Sequence, residues 1–121
     1  MLKKILPILL AIFLLFGAYQ HIAAPDFYAA FIPDFIPKSV ANILAAIAEA
    51  VVGITLIIPR FRKWGGLGFF LLMLAFLPIH IWDLVREVPA IGSFKAAVIR
   101  FFVQLLLIYA GWWIYKNSED K

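Results

Sequence analysis

The sequence predicts an all-α membrane protein, an up-down four-helix transmembrane bundle with both termini cytoplasmic. Three observations predict it. The 121 residues are 65% hydrophobic and 15% charged, with a mean hydropathy of +1.00, which leaves too little polar surface to cover a soluble domain of this size. Four apolar runs reach the ~20 residues that a helix needs to cross the hydrocarbon layer. Lysine and arginine are distributed unevenly between the connections, as the positive-inside rule requires of a multi-pass chain.

The first run, about 5–23, begins after Lys3 and Lys4 and ends at "HIAAPD". A basic start and small residues also describe a secretion signal, but the run is long and three more follow, so a retained helix is expected. The second, about 40–58, is rich in small residues (Ala41, Ala45, Ala46, Ala48, Ala50, Gly53), which lets helices approach closely. The third, about 64–82, contains Pro78, expected to bend it and free a carbonyl. The fourth, about 96–115, ends at Lys116. Short connections make successive helices antiparallel neighbours, and residues 1–121 form a single integral membrane domain.

Lys3, Lys4, Arg60, Arg62, Lys63, Lys116 and Lys121 fall on one side. The other side carries only Lys38, Arg86 and Lys95, among Asp26, Asp34, Asp83 and Glu87. The first side is therefore expected in the cytoplasm. The outer connection 24–38, "APDFYAAFIPDFIPK", repeats "PDF" and spaces Phe27, Tyr28, Phe31 and Phe35 so that they can face one way. It reads first as an interfacial aromatic belt, second as a lid over an outward site. Asp83, Arg86 and Glu87 read as a solvated outer face.

The net charge of +4 sits in these topology signals and is not a nucleic-acid footprint. With no cysteine, the chain carries no disulfide, thiolate metal site or dithiol chemistry of its own. No phosphate loop and no activated nucleophile is visible, so catalysis by this chain alone is not expected.

Polar residues at membrane depth are the candidate site. Glu49 stands alone in "NILAAIAEAVVGITLII", about 16 Å from Arg60 at 1.5 Å per residue. A charge there needs a partner, water or a proton. Arg100 and Gln104, four apart on the fourth helix with Leu107 and Gly111 continuing their face, are the expected partners. His21 and His80 fall at the level of Arg100, about 25 Å from the inner boundary. Gly17, one turn below His21, leaves space beside it. The expected ligand-binding set is thus His21, Glu49, His80, Arg100 and Gln104. Metal is not expected, since no i, i+4 histidine pair exists and Arg100 repels a cation.

"GAYQHIAAPDFYAAFIPDFIP", "AEAVVGITLIIPRFRK", "FLPIHI" and "RFFVQLLLIYAGWWIY" together resemble the DoxX-like family of small four-helix bacterial membrane proteins, over nearly the whole chain. Gly17, His21, Pro25, Ile32, Pro33, Pro37, Glu49, Pro59, Pro78, Arg100 and Gln104 match the family pattern. Ile22, Ala46, His80 and Phe102 depart from its Phe, Gly, Asn and Pro. The resemblance implies kinship with a small subunit of a thiosulfate:quinone oxidoreductase and with redox maturation.

The function expected is a binding or redox-accessory membrane module, an accessory subunit of an oxidoreductase in the redox case, whose outer-half cluster holds the polar head of a quinone or an anion. The alternatives are a structural or assembly factor whose charges only pin helices, and a proton-coupled carrier in which Glu49 titrates; four helices without inverted repeats disfavour the carrier. Expected partners are the lipid bilayer, a membrane or redox protein, and a second copy of the chain, with no nucleic acid.

Overall fold

A computed structural model describes residues 1–118, which form four α-helices and two short 3-10 segments, with no strand among the described residues. Lys121, counted above among the basic residues of one side, lies outside them. The helices are α1 (Leu2–Ala23), α2 (Lys38–Ile57), α3 (Arg62–Val85) and α4 (Phe94–Asn117). All four are long and apolar enough to cross a membrane. The 3-10 segments are Pro25–Phe31, between α1 and α2, and Pro59–Phe61, between α2 and α3.

The helices overrun the apolar runs at most of their ends. An apolar run stops where side chains become polar, whereas a helix continues while its backbone hydrogen bonds remain its best option. The stops have local causes. Ser93 caps α4, its Oγ accepting from the Ala96 amide at 3.1 Å. At the C-terminus of α2, Arg62 donates Nε to the Leu56 carbonyl (2.9 Å) and Nη2 to the Ile57 carbonyl (3.0 Å), meeting acceptors that the helix leaves open. Pro78 lies inside α3, which continues past it to Val85.

The core is a cluster of Leu10, Ala11, Leu14, Leu56, Phe69, Met73 and Ile114. α3 packs most extensively on α4 and α1 on α2, while α1 and α4 touch little. The α3–α4 seam is nearly backbone to backbone at Gly111, where a Cβ would stand 2.7 Å from the Phe70 amide nitrogen and 3.0 Å from the Gly66 carbonyl oxygen. In α2 the buried stripe is Asn42, Ala46, Glu49, Gly53 and Leu56. Only Ala46 and Gly53, of the six small residues in its apolar run, are buried in it. The outward surface is strongly apolar, with Leu9, Ile12, Ile47, Val51 and Leu106 all exposed, as contact with lipid requires.

Candidate functional site

Glu49 is 7% exposed although nothing nearby on α2 is charged. Its carboxylate fits against Gly17 of α1: a Cβ at that position would stand 3.0 Å from Oε2 and 3.2 Å from Oε1. The space predicted beside Gly17 is thus filled by the acid itself. The charge partner is His21, whose Nε2 lies 3.5 Å from Oε2, and Oε2 makes no hydrogen bond.

Asn42 decides how His21 presents itself. The Asn42 amide donates Nδ2 to the Lys38 carbonyl at 3.1 Å and to the Pro25 carbonyl at 3.5 Å. Its Oδ1 is therefore the acceptor 2.7 Å from His21 Nδ1, and the ring proton sits on Nδ1. Nε2 then faces Glu49.

The expected Glu49–Arg100 contact is not formed, and this corrects the sequence reading. Arg100 Nη1 instead lies 3.5 Å from Asp83 Oδ2, with the guanidinium 4.5 Å from the centre of the Phe31 ring. Asp83, read above as part of a solvated face, is 1% exposed. It accepts from the amides of Ala90 (2.5 Å) and Ile91 (3.4 Å), pinning the α3–α4 connection, and from Arg100. Two backbone donors and an arginine outbid water for this carboxylate. Arg86 joins it at 3.8 Å and also lies over Trp82, while Glu87 is exposed as expected.

Gln104 is buried and donates Nε2 to the Met73 carbonyl at 2.7 Å, tying α4 to α3. It does not bridge Glu49 and Arg100. His80 is half-buried on α3, and its Nδ1 has no hydrogen-bond partner.

All five expected residues nevertheless line one cavity of about 560 Å³. The 3-10 segment Pro25–Phe31 roofs it. Tyr28 stacks on the His21 ring at 3.8 Å between centroids, and Phe31 and Ile32 contribute lining. Phe27 and Phe35 of the same connection are exposed. Burial, with the Glu49 carboxylate adding to it, pushes the Tyr28 phenol above its ordinary value of 10.0, so this phenol brings no negative charge to the cavity. The remaining lining is mostly apolar, from Phe13, Phe16, Phe76, Ile79, Val103 and Leu107. Among the described residues no three of His, Asp and Glu gather as a metal-holding group.

Sequence reasoning missed Asn42, Asp83 and Tyr28. Asn42 was detectable, two turns before Glu49 on one face of α2. Asp83 was not, because an acid near a helix end has the same sequence signature whether it is solvated or capped by a connection.

A family model described as a domain of unknown function, DUF8561, matches residues 10–115, and the chain belongs to that family. No curated protein and no solved structure matches the chain.

Proposed function

We propose that this member of the DUF8561 family is a multi-pass protein of the bacterial cytoplasmic membrane whose roofed cavity binds the polar head of a small amphiphile, a quinone in the first instance. In this reading the chain is an up-down four-helix bundle, a single domain with both termini in the cytoplasm and the cavity in its outer half. The one observation that carries the binding reading is a pair of buried polar atoms without hydrogen bonds, Glu49 Oε2 and His80 Nδ1, on residues that line the same largely apolar cavity. Such atoms are expensive to leave unmet at membrane depth. A bound hydroxyl donates to Glu49 Oε2, and a hydroxyl or carbonyl meets His80 Nδ1.

A neutral head is favoured over an anion. The charge of Arg100 is already answered by Asp83, and an ionised Glu49 repels a second negative group. An imidazole and a carboxyl group side by side suit a head group whose oxygens accept or donate hydrogen bonds according to redox state. The likeness to DoxX-like proteins supports the same reading and adds the proposal of a redox-accessory role beside a partner enzyme. A structural role is favoured for Gln104 alone, since its amide joins two helices.

The test separates binding from pinning. Replacing both Glu49 and His80 by Leu removes two unsatisfied polar atoms, and His21 loses its charge partner but keeps Asn42, so the purified protein should stay within about 1 kcal/mol of wild type. It should also lose the rise in Tm that a benzoquinone gives the wild-type protein, an effect of about 2.7 kcal/mol at ~100 times Kd. A destabilised variant with an unchanged quinone response would reject binding in favour of a structural pin.

A further inference from the structure

The cavity has two conceivable exits, through the roof or between helices. The roof is tied down on both sides. Arg86 Nη1 donates to the Ala30 carbonyl at 2.7 Å, Lys38 Nζ to the Ile32 carbonyl at 2.5 Å, and Tyr28 is stacked on His21. The flank between α1 and α4 is different. These two helices touch little, whereas α1 packs on α2, α2 on α3 and α3 on α4. Phe13 and Phe16 of α1 and Ile99 and Val103 of α4 line the cavity, and each is about half exposed. Their spacings, i to i+3 on one helix and i to i+4 on the other, set each pair along one helix face.

We propose that the ligand enters sideways from the bilayer through a portal between α1 and α4, and that it is an amphiphile whose single long apolar tail lies between those helices while its head meets Glu49 and His80. This rests on the binding reading above. The rim side chains Phe13, Phe16, Ile99 and Val103 are all apolar. In water such an opening would be costly, but against acyl chains it is not. A tail leaving by this path stays in hydrocarbon for its whole length, and only the head must shed other partners. A helix from a second copy would cover the rim and leave the two unpartnered polar atoms inside unmet. An amphiphile answers the apolar rim and the polar interior together.

The experiment is photo-labelling of the full chain in liposomes with a benzoquinone that carries a decyl tail ending in a diazirine. Labelled peptides are identified by mass spectrometry, with and without excess tailless benzoquinone. The expected result is label on Phe13, Phe16, Ile99 or Val103, reduced at least about tenfold by competitor at ten or more times its Kd. Competed label on Phe27 or Tyr28 instead would show entry through the roof and overturn the portal while leaving the binding site intact. Label on the rim that competitor does not reduce would mark ordinary lipid contact, and would also overturn it. Absence of competed label anywhere, together with no quinone effect on Tm, would reject the binding reading itself.

Discussion

At the scale of single residues, Glu49 and Arg100, expected to meet each other, are each paired elsewhere, with His21 and with Asp83. Asp83 is the most consequential of them, because it holds the α3–α4 connection and Arg100 at once. Asp83→Asn keeps the shape but weakens every charge-assisted bond, and should lower stability by about 2 kcal/mol. Glu87→Gln, four residues on and exposed, should stay within about 0.5 kcal/mol of wild type. Unfolding of the purified protein in mixed detergent micelles measures both, and equal effects would contradict the assignment of Asp83. Gly17 gives a second case. Its substitution by Ala places a methyl 3.0 Å from Glu49 Oε2, so the carboxylate must give by a few tenths of an ångström. Gly17→Ala should therefore weaken benzoquinone binding at least about tenfold, a loss of about 1.4 kcal/mol, with a smaller change in Tm; binding titration checks it.

At the scale of helices, the seam between α3 and α4 is the most tightly specified contact in the chain. Gly111→Leu must drive a side chain into the Phe70 backbone and the Phe69 ring, and backbone cannot yield as a rotamer can. A loss of about 3 kcal/mol is expected, the upper part of the range for overpacking. Gly68→Ala meets only a Val52 methyl at 3.2 Å and should change stability by less than about 1 kcal/mol, since helix propensity offsets the contact. Thermal unfolding of the two variants would show whether the seam is as close as this geometry requires. The same elements show what a sequence can disclose. The centres of the four helices are legible because each must be apolar for its own sake, whatever it packs on. The faces of α2 are half legible: Glu49 is conspicuous, and Asn42 becomes so once the seven-residue step is taken. Pairings between helices are not legible, because depth counting places Arg100, His21 and His80 at one level but is blind to rotation about each helix axis. Rotation is what gives Glu49 to His21 and Arg100 to Asp83.

At the scale of the whole molecule, charge and aromatic placement bear on how the chain sits in a bilayer. Lys3, Lys4, Pro59, Arg62, Asn117 and Ser118 line a second cavity of about 520 Å³, so the start of α1, the α2–α3 turn and the end of α4 meet at one end of the protein. Cations there lie over rings: Lys63 over Trp64 and Tyr115, Lys116 over Trp112, and Arg60 over Phe61. Such pairs suit the interface, where the ring is half in hydrocarbon and the charge stays wet. At the roof end, Lys38 lies 3.6 Å from Asp34, and Arg86 lies 3.8 Å from Asp83, so its few cations are largely answered by acids. Each unanswered cation beside an anionic leaflet is worth about 1 kcal/mol, and the imbalance favours the end with the chain termini in the cytoplasm. Because the chain has no cysteine, single introduced ones report orientation without background. Phe35→Cys and Val88→Cys lie at exposed positions of the roof-end connections, and Leu2→Cys and Ser118→Cys lie near the two termini. In intact spheroplasts a membrane-impermeant maleimide should label the first two, and reach the last two only after lysis. The opposite pattern would turn the cavity toward the cytoplasm, and labelling of all four before lysis would mean that the charge imbalance does not set one orientation.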